Sequence, residues 1–158
     1  MTERSTHHDT FTIERDIDAP PNLVFFAWAN ADAKTQWFTA SADKWELLER
    51  HLDFREGGTE RLKGRWQSGT ISDFTCEYRD IVPDQRIVYS YDMHHNDKRL
   101  SCSLATIEFT PNGQGTHLKL TEQVVHFDGY PTPEDRKTGT EKLIDMALAF
   151  IISQKADA

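Results

Sequence analysis

The alternation of apolar and polar residues organises the chain. Residues 1–10 are polar and predict a loose tail. Phe11, Ile13 and Ile17 mark one face of a strand over 11–17. Ala19-Pro20-Pro21 stops it, and Pro21 suits the first helical position, where a missing N–H costs nothing. Leu23, Val24, Ala27 and Trp28 follow helical spacing, and residues 32–38 read as a second short helix ending at Trp37-Phe38. From residue 45 the period falls to two. Strands are predicted over 45–54, 59–66, 70–82, 86–93, 100–109 and 116–127. Their breaks are the paired glycines Gly57-Gly58, then Ser68-Gly69, Pro83-Asp84, the polar stretch 94–99 with His94 and His95, and Pro111 to Gly115. After a loop at 128–131, Thr132 is placed as a cap with Pro133 at the first helical position. That helix runs to about Ser153, with a stripe of Leu143, Ala147, Phe150 and Ile151 widened by Ile144 and Met146.

The order is strand, two short helices, six meandering strands and one long helix. This predicts an α+β fold in which a curved antiparallel seven-stranded sheet wraps a long C-terminal helix. One domain over 11–153 is expected, with a flexible tail at 1–10 and a C-terminal tail at 154–158. A curved sheet gripping one helix leaves space between them.

Composition narrows the function classes. Acids outnumber bases 26 to 18, which disfavours binding to nucleic-acid phosphates. No apolar run reaches membrane-span length and no signal segment is visible, so a cytoplasmic protein is expected. The only cysteines, Cys76 and Cys102, fit a reducing compartment and lie too far apart in this meander for a disulfide. No metal-ligand spacing, nucleophile elbow or phosphate-binding glycine loop is present, so no metal and no cofactor are expected.

Candidate chemistry follows from strand parity. Leu118, Leu120, Glu122, Val124 and His126 share the inner face of the last strand, and Ser101, Ser103, Ala105, Ile107 and Phe109 that of the strand before. Pairing Thr116 with Phe109 sets Glu122 opposite Ser103. The next hairpin puts Tyr91 beside Ser103, with Cys76 beyond. A polar row of Cys76, Tyr91, Ser103 and Glu122 then crosses an apolar wall. Trp37, Phe38, Trp66, Phe74, Tyr78, Met93, Gly139, Leu143 and Met146 are placed around it as cavity lining. The competing reading puts Glu122 at a strand end, reaching water or Arg50, and the large side chains in the core. His126 is a second candidate partner for Glu122.

Several stretches also carry a family resemblance. They are Ile17-Asp18-Ala19-Pro20 through Val24-Phe25, Trp37-Phe38, Asp53 to Gly58, Arg86 to Tyr89, Ala105 to Phe109, Thr121-Glu122-Gln123, Phe127 to Tyr130, and Gly139 with Leu143. In order and spacing, residues 11–153 resemble the helix-grip superfamily of START lipid-transfer domains, polyketide cyclases and the birch-pollen allergen. Within it they resemble the homologues of the activator of the heat-shock chaperone ATPase. The resemblance implies the helix-grip fold and fixes no reaction. The founding activator has a separate N-terminal chaperone-binding domain; none is expected in these 158 residues, so the resemblance does not imply chaperone activation.

Three functions follow as expectations. The first is non-enzymatic binding of a small hydrophobic or aromatic molecule between sheet and helix. The second is a cyclase- or hydrolase-type enzyme using Glu122 and Tyr91 as an acid–base pair. The third is a chaperone-regulating interaction module, which needs an apolar docking face. The outer positions read here, Glu60, Lys63, Arg65, Lys119 and Gln123, are polar and weigh against it.

Overall fold

The computed structural model describes residues 3–132 and 134–156. Its elements are β1 (Thr6–Ile17), α1 (Pro21–Ala29), α2 (Ala31–Trp37), β2 (Trp45–Leu52), β3 (Thr59–Trp66), β4 (Ile71–Val82), β5 (Arg86–His95), β6 (Lys98–Asn112), β7 (Gly115–Phe127) and α3 (Arg136–Ala156). The seven strands form one antiparallel sheet in the order β1-β7-β6-β5-β4-β3-β2. Among the described residues no helix is long and apolar enough to cross a membrane.

Asn30 explains how two helices abut. Its backbone N–H closes α1 on Phe26, and its side chain accepts from Ala33 N at 3.0 Å to open α2. Trp28 and Trp37 then meet edge to face at 5.0 Å, and Trp28 and Phe25 both rest on Phe109 of the sheet. The helices thus plug one end of the curved sheet. Ile144, Ala147 and Ile151 of α3 are buried in the shared core, with Leu143 and Phe150 packed beside them.

Four expectations change. The N-terminal tail is strand from Thr6, because its backbone pairs with β7 as far as Phe127 even though its side chains are exposed. The C-terminal helix continues to Ala156, beyond the expected start of a tail at 154. It starts at Arg136 rather than after Thr132. Asp135 Oδ1 accepts from Thr138 N at 2.7 Å, and Thr132 turns its hydroxyl to Glu134 O instead. Pro133 lies outside the described residues. His94 and His95 belong to β5, and the turn is only Asn96-Asp97, with Asn96 at φ 56°.

The β6–β7 register also differs. Phe109 pairs with Leu118, Ala105 with Glu122, and Ser103 with Val124. The ladder continues past Phe109 to Asn112–Gly115, leaving Gly113-Gln114 as the turn, so the partners move by two residues. A shift of two preserves parity, and Glu122 stays on the inner face.

Candidate functional site

A cavity of about 520 Å³ lies between the inner sheet face, the α2–β2 segment and α3. That volume suits a small organic molecule. Trp37, Phe38, Trp66, Phe74, Tyr91 and Met93 line it, as do Glu122, Gly139, Leu143 and Met146. Cys76, Tyr78 and Ser103 are buried in the sheet behind this surface and do not line it. Trp28 and Trp45 also line it, so all four tryptophans of the chain face one space. Trp45 reaches its place because Gly64 has no side chain, and a Cβ there would lie 1.9 Å from the indole. Trp66 and Met146 remain 38% and 39% exposed, which makes them rim rather than core.

Three of the four members of the expected row lie in register, and Glu122 does not. Cys76 pairs with Tyr91, and Tyr91 with Ser103. It continues on β3 to Glu60 rather than ending at Glu122, which lies in the next row with Ala105 and Tyr89. Two buried carboxylates therefore share the inner face on strands four spacings apart, roughly 19 Å along the sheet.

At the β7 side, Glu122 Oε2 accepts from the Tyr91 hydroxyl at 2.8 Å and from Ser103 Oγ at 2.9 Å. Arg136, the first residue of α3, lies 3.4 Å from the same oxygen. It donates also to Tyr91 Oη at 3.0 Å and, through its other terminal nitrogen, to Ser101 Oγ at 2.6 Å. Glu122 is 1% exposed, so neither the open strand end nor Arg50 is its partner. Burial pushes its carboxyl above the ordinary range, and Arg136 and the hydroxyl donors pull part of that shift back. Burial and Glu122 raise the Tyr91 phenol, so it stays a neutral donor. His126 makes no bond to Glu122. It stacks on His7 at 6.2 Å, and burial and then Arg136 lower its proton affinity.

At the β3 side, Glu60 corrects an expected outer-face position. It is 1% exposed and shares parity with Leu62, Gly64 and Trp66 on the inner face. Its Oε1 accepts from Lys34 Nζ at 2.7 Å and from the Tyr78 hydroxyl at 2.5 Å, and its Oε2 from Arg50 at 2.7 Å. Burial raises this carboxyl, but Lys34 and Arg50 more than offset it and hold it below the ordinary range. Lys34 comes from α2 and lies 4.9 Å from the Phe38 ring centroid.

Lys34, Arg50 and Arg136 are absent from the sequence-predicted site. Arg136 left a signal, since a cation in a helix's first turn opposes the macrodipole and needs a compensating partner. Lys34 left none, because an amphipathic helix shows lysine equally at its solvated face. Tyr89 was readable from parity with Tyr91 and lines the cavity. Among the described residues its hydroxyl and Glu122 Oε1 make no hydrogen bond, so both retain capacity for a ligand.

Comparison with known proteins places this architecture. The family described as Activator of Hsp90 ATPase homolog 1-like protein matches residues 18–151. An uncharacterised protein from Rhizobium leguminosarum is similar at 41% identity, with a TM-score of 0.90 over 96% of this chain and 99% of its own. A protein from Rhizobium loti is similar at 38% identity, with a TM-score of 0.85 over 92% and 99%. CalU16 from Micromonospora echinospora, at 20% identity and a TM-score of 0.62 over 99% and 90%, shares the fold. A search of curated proteins gives no match. With the match spanning most of the sheet and reaching deep into α3, the chain belongs to the Activator of Hsp90 ATPase homolog 1-like family.

Proposed function

We propose that the protein binds a small aromatic or otherwise apolar molecule in the cavity between sheet and α3. The observation that carries this reading is a space of about 520 Å³ faced by all four tryptophans and by a few polar groups with unused bonding capacity. Apolar walls supply affinity through burial, while the Tyr89 hydroxyl and Glu122 Oε1 fix orientation. Burial raises the Glu122 carboxyl, which is what an acid–base enzyme would use, but its bonding favours binding. Its Oε2 already takes Tyr91, Ser103 and Arg136, which restrains it as a proton carrier.

Native mass spectrometry of the protein as purified, against the same sample denatured, tests this. A non-covalent adduct lost on denaturation is expected, and Leu143→Trp, which fills the cavity, removes it. A bare mass, together with no binding of naphthalene-sized probes by calorimetry, overturns the reading.

A further inference from the structure

We infer that the ligand carries an anionic group, and that this group docks against Lys34. The inference rests on the cavity-binding reading above. Its starting point is a charge count at the β3 side. Lys34 and Arg50 both bond to Glu60, and the three side chains are 7%, 12% and 0% exposed. One carboxylate answers two cations, so a positive charge is left over where water screens little.

Both Glu60 oxygens are engaged. Oε1 already accepts from Lys34 and Tyr78, and Oε2 accepts from Arg50. Arg50 Nη2 remains buried with no hydrogen-bond partner, an independent sign that acceptors are short here. The Lys34 ammonium also donates to the Tyr78 hydroxyl at 3.3 Å, an uncharged acceptor, and the Trp37 and Phe38 rings lie at 5.9 and 4.9 Å. Ring faces attract a cation without neutralising it.

Of the two cations, Lys34 lines the cavity, beside the same two rings. A carboxylate or sulfonate entering there meets an ammonium flanked by aromatic walls. The opposite side has no such surplus, because Glu122 and Arg136 pair one to one and Glu122 Oε1 repels a second anion. The ligand is therefore oriented: its acid points to α2 and β3, and its apolar body lies over Phe74, Tyr91 and Met93.

Calorimetric titration with naphthoate, naphthamide and naphthylmethylammonium separates the two readings. Naphthoate is expected to bind about tenfold tighter than naphthamide, with the cation weakest. Lys34→Met brings naphthoate down to the naphthamide affinity and leaves naphthamide within about twofold of its original affinity. Glu60→Gln enlarges the surplus and widens the preference, so the effect is also read in the opposite direction should Lys34→Met fail to fold. Equal binding of naphthoate and naphthamide overturns the inference while the cavity reading stands. A preference that survives Lys34→Met places the anion elsewhere in the cavity and overturns the assignment. Failure of all three probes overturns the cavity reading and this inference with it.

Discussion

Arg136 and Glu122 tie the start of α3 to β7, with Arg136 Nη1 3.4 Å from Glu122 Oε2. An arginine at a helix N-terminus is placed against the dipole. Here its three hydroxyl contacts, to Tyr91, Ser103 and Ser101, and the carboxylate compensate for that position. The contact fixes where the helix leaves the preceding loop, and so fixes one wall of the cavity.

Arg136→Met removes that tether and leaves a buried carboxylate without its cation. A loss of about 3 kcal/mol is expected at neutral pH. The loss shrinks in acid, where Glu122 takes up a proton and needs no cation. Urea unfolding of both proteins at neutral and acidic pH measures it. An equal loss at both would show that the ion pair is not its source.

Glu60 sits deeper in the balance, because its loss strands two cations. Glu60→Ala is expected to cost about 3–5 kcal/mol. Glu60→Gln keeps an acceptor for Lys34 or Tyr78 and costs less. Denaturant midpoints of the two variants, with unchanged slopes, provide the comparison.

Two glycines separate packing from propensity. At Gly64 a Cβ would lie 1.9 Å from the Trp45 ring, so Gly64→Ala expels the indole and destabilises by about 1–3 kcal/mol. Trp45 fluorescence shifts to the red in that variant. At Gly139 the nearest atom to a Cβ is Glu134 Oε1 at 3.4 Å, an adaptable side chain, and no backbone approaches. Gly139→Ala therefore stabilises α3, by about 0.5–1 kcal/mol.

How far the sequence exposed this architecture depended on the length of each argument. Period and turn residues located every strand and both short helices, since these signals are local. Pairing Cys76 with Tyr91 and Tyr91 with Ser103 was legible from inner-face parity carried from one hairpin to the next. The Glu122 partner moved by two residues because β6 continues through Pro111 and Asn112, where proline reads as a stop. Glu60 was hidden by its charge. Its parity with Leu62 and Trp66 pointed inward, but only tertiary neighbours, Lys34 from α2 and Arg50 from β2, make a buried carboxylate tolerable. Those neighbours are distant in sequence and leave no periodic trace.

The two cysteines differ in access and in proton affinity. Cys76 is buried, and burial above all pushes its thiol up to about 12. Cys102 is exposed, with its thiol raised by partial burial and then by Asp92. A disulfide-exchange reagent is expected to titrate one thiol per native chain, more slowly than a free thiol, and two after unfolding. Two fast thiols in the native protein would contradict the burial of Cys76.

The two buried carboxylates should pull the pH dependence of stability in opposite directions. Folding raises the Glu122 carboxyl above its ordinary 4.5, so the native state holds the proton more tightly than the unfolded chain. Its contribution is complete below 4.5 and declines as pH rises through the folded value. Folding lowers the Glu60 carboxyl below 4.5, so its contribution is complete above 4.5 and is lost as pH falls through the folded value. The measurement is the stability difference between wild type and each glutamine variant across a pH series. Relative to Glu122→Gln, the wild type should lose stability as pH climbs above 4.5. Relative to Glu60→Gln, it should gain stability as pH climbs toward 4.5 from the acid side. Slopes of the same sign would mean that Arg136 neutralises Glu122 as fully as Lys34 and Arg50 neutralise Glu60. The geometry argues otherwise, because Glu122 has one cation at 3.4 Å and Glu60 has two at 2.7 Å.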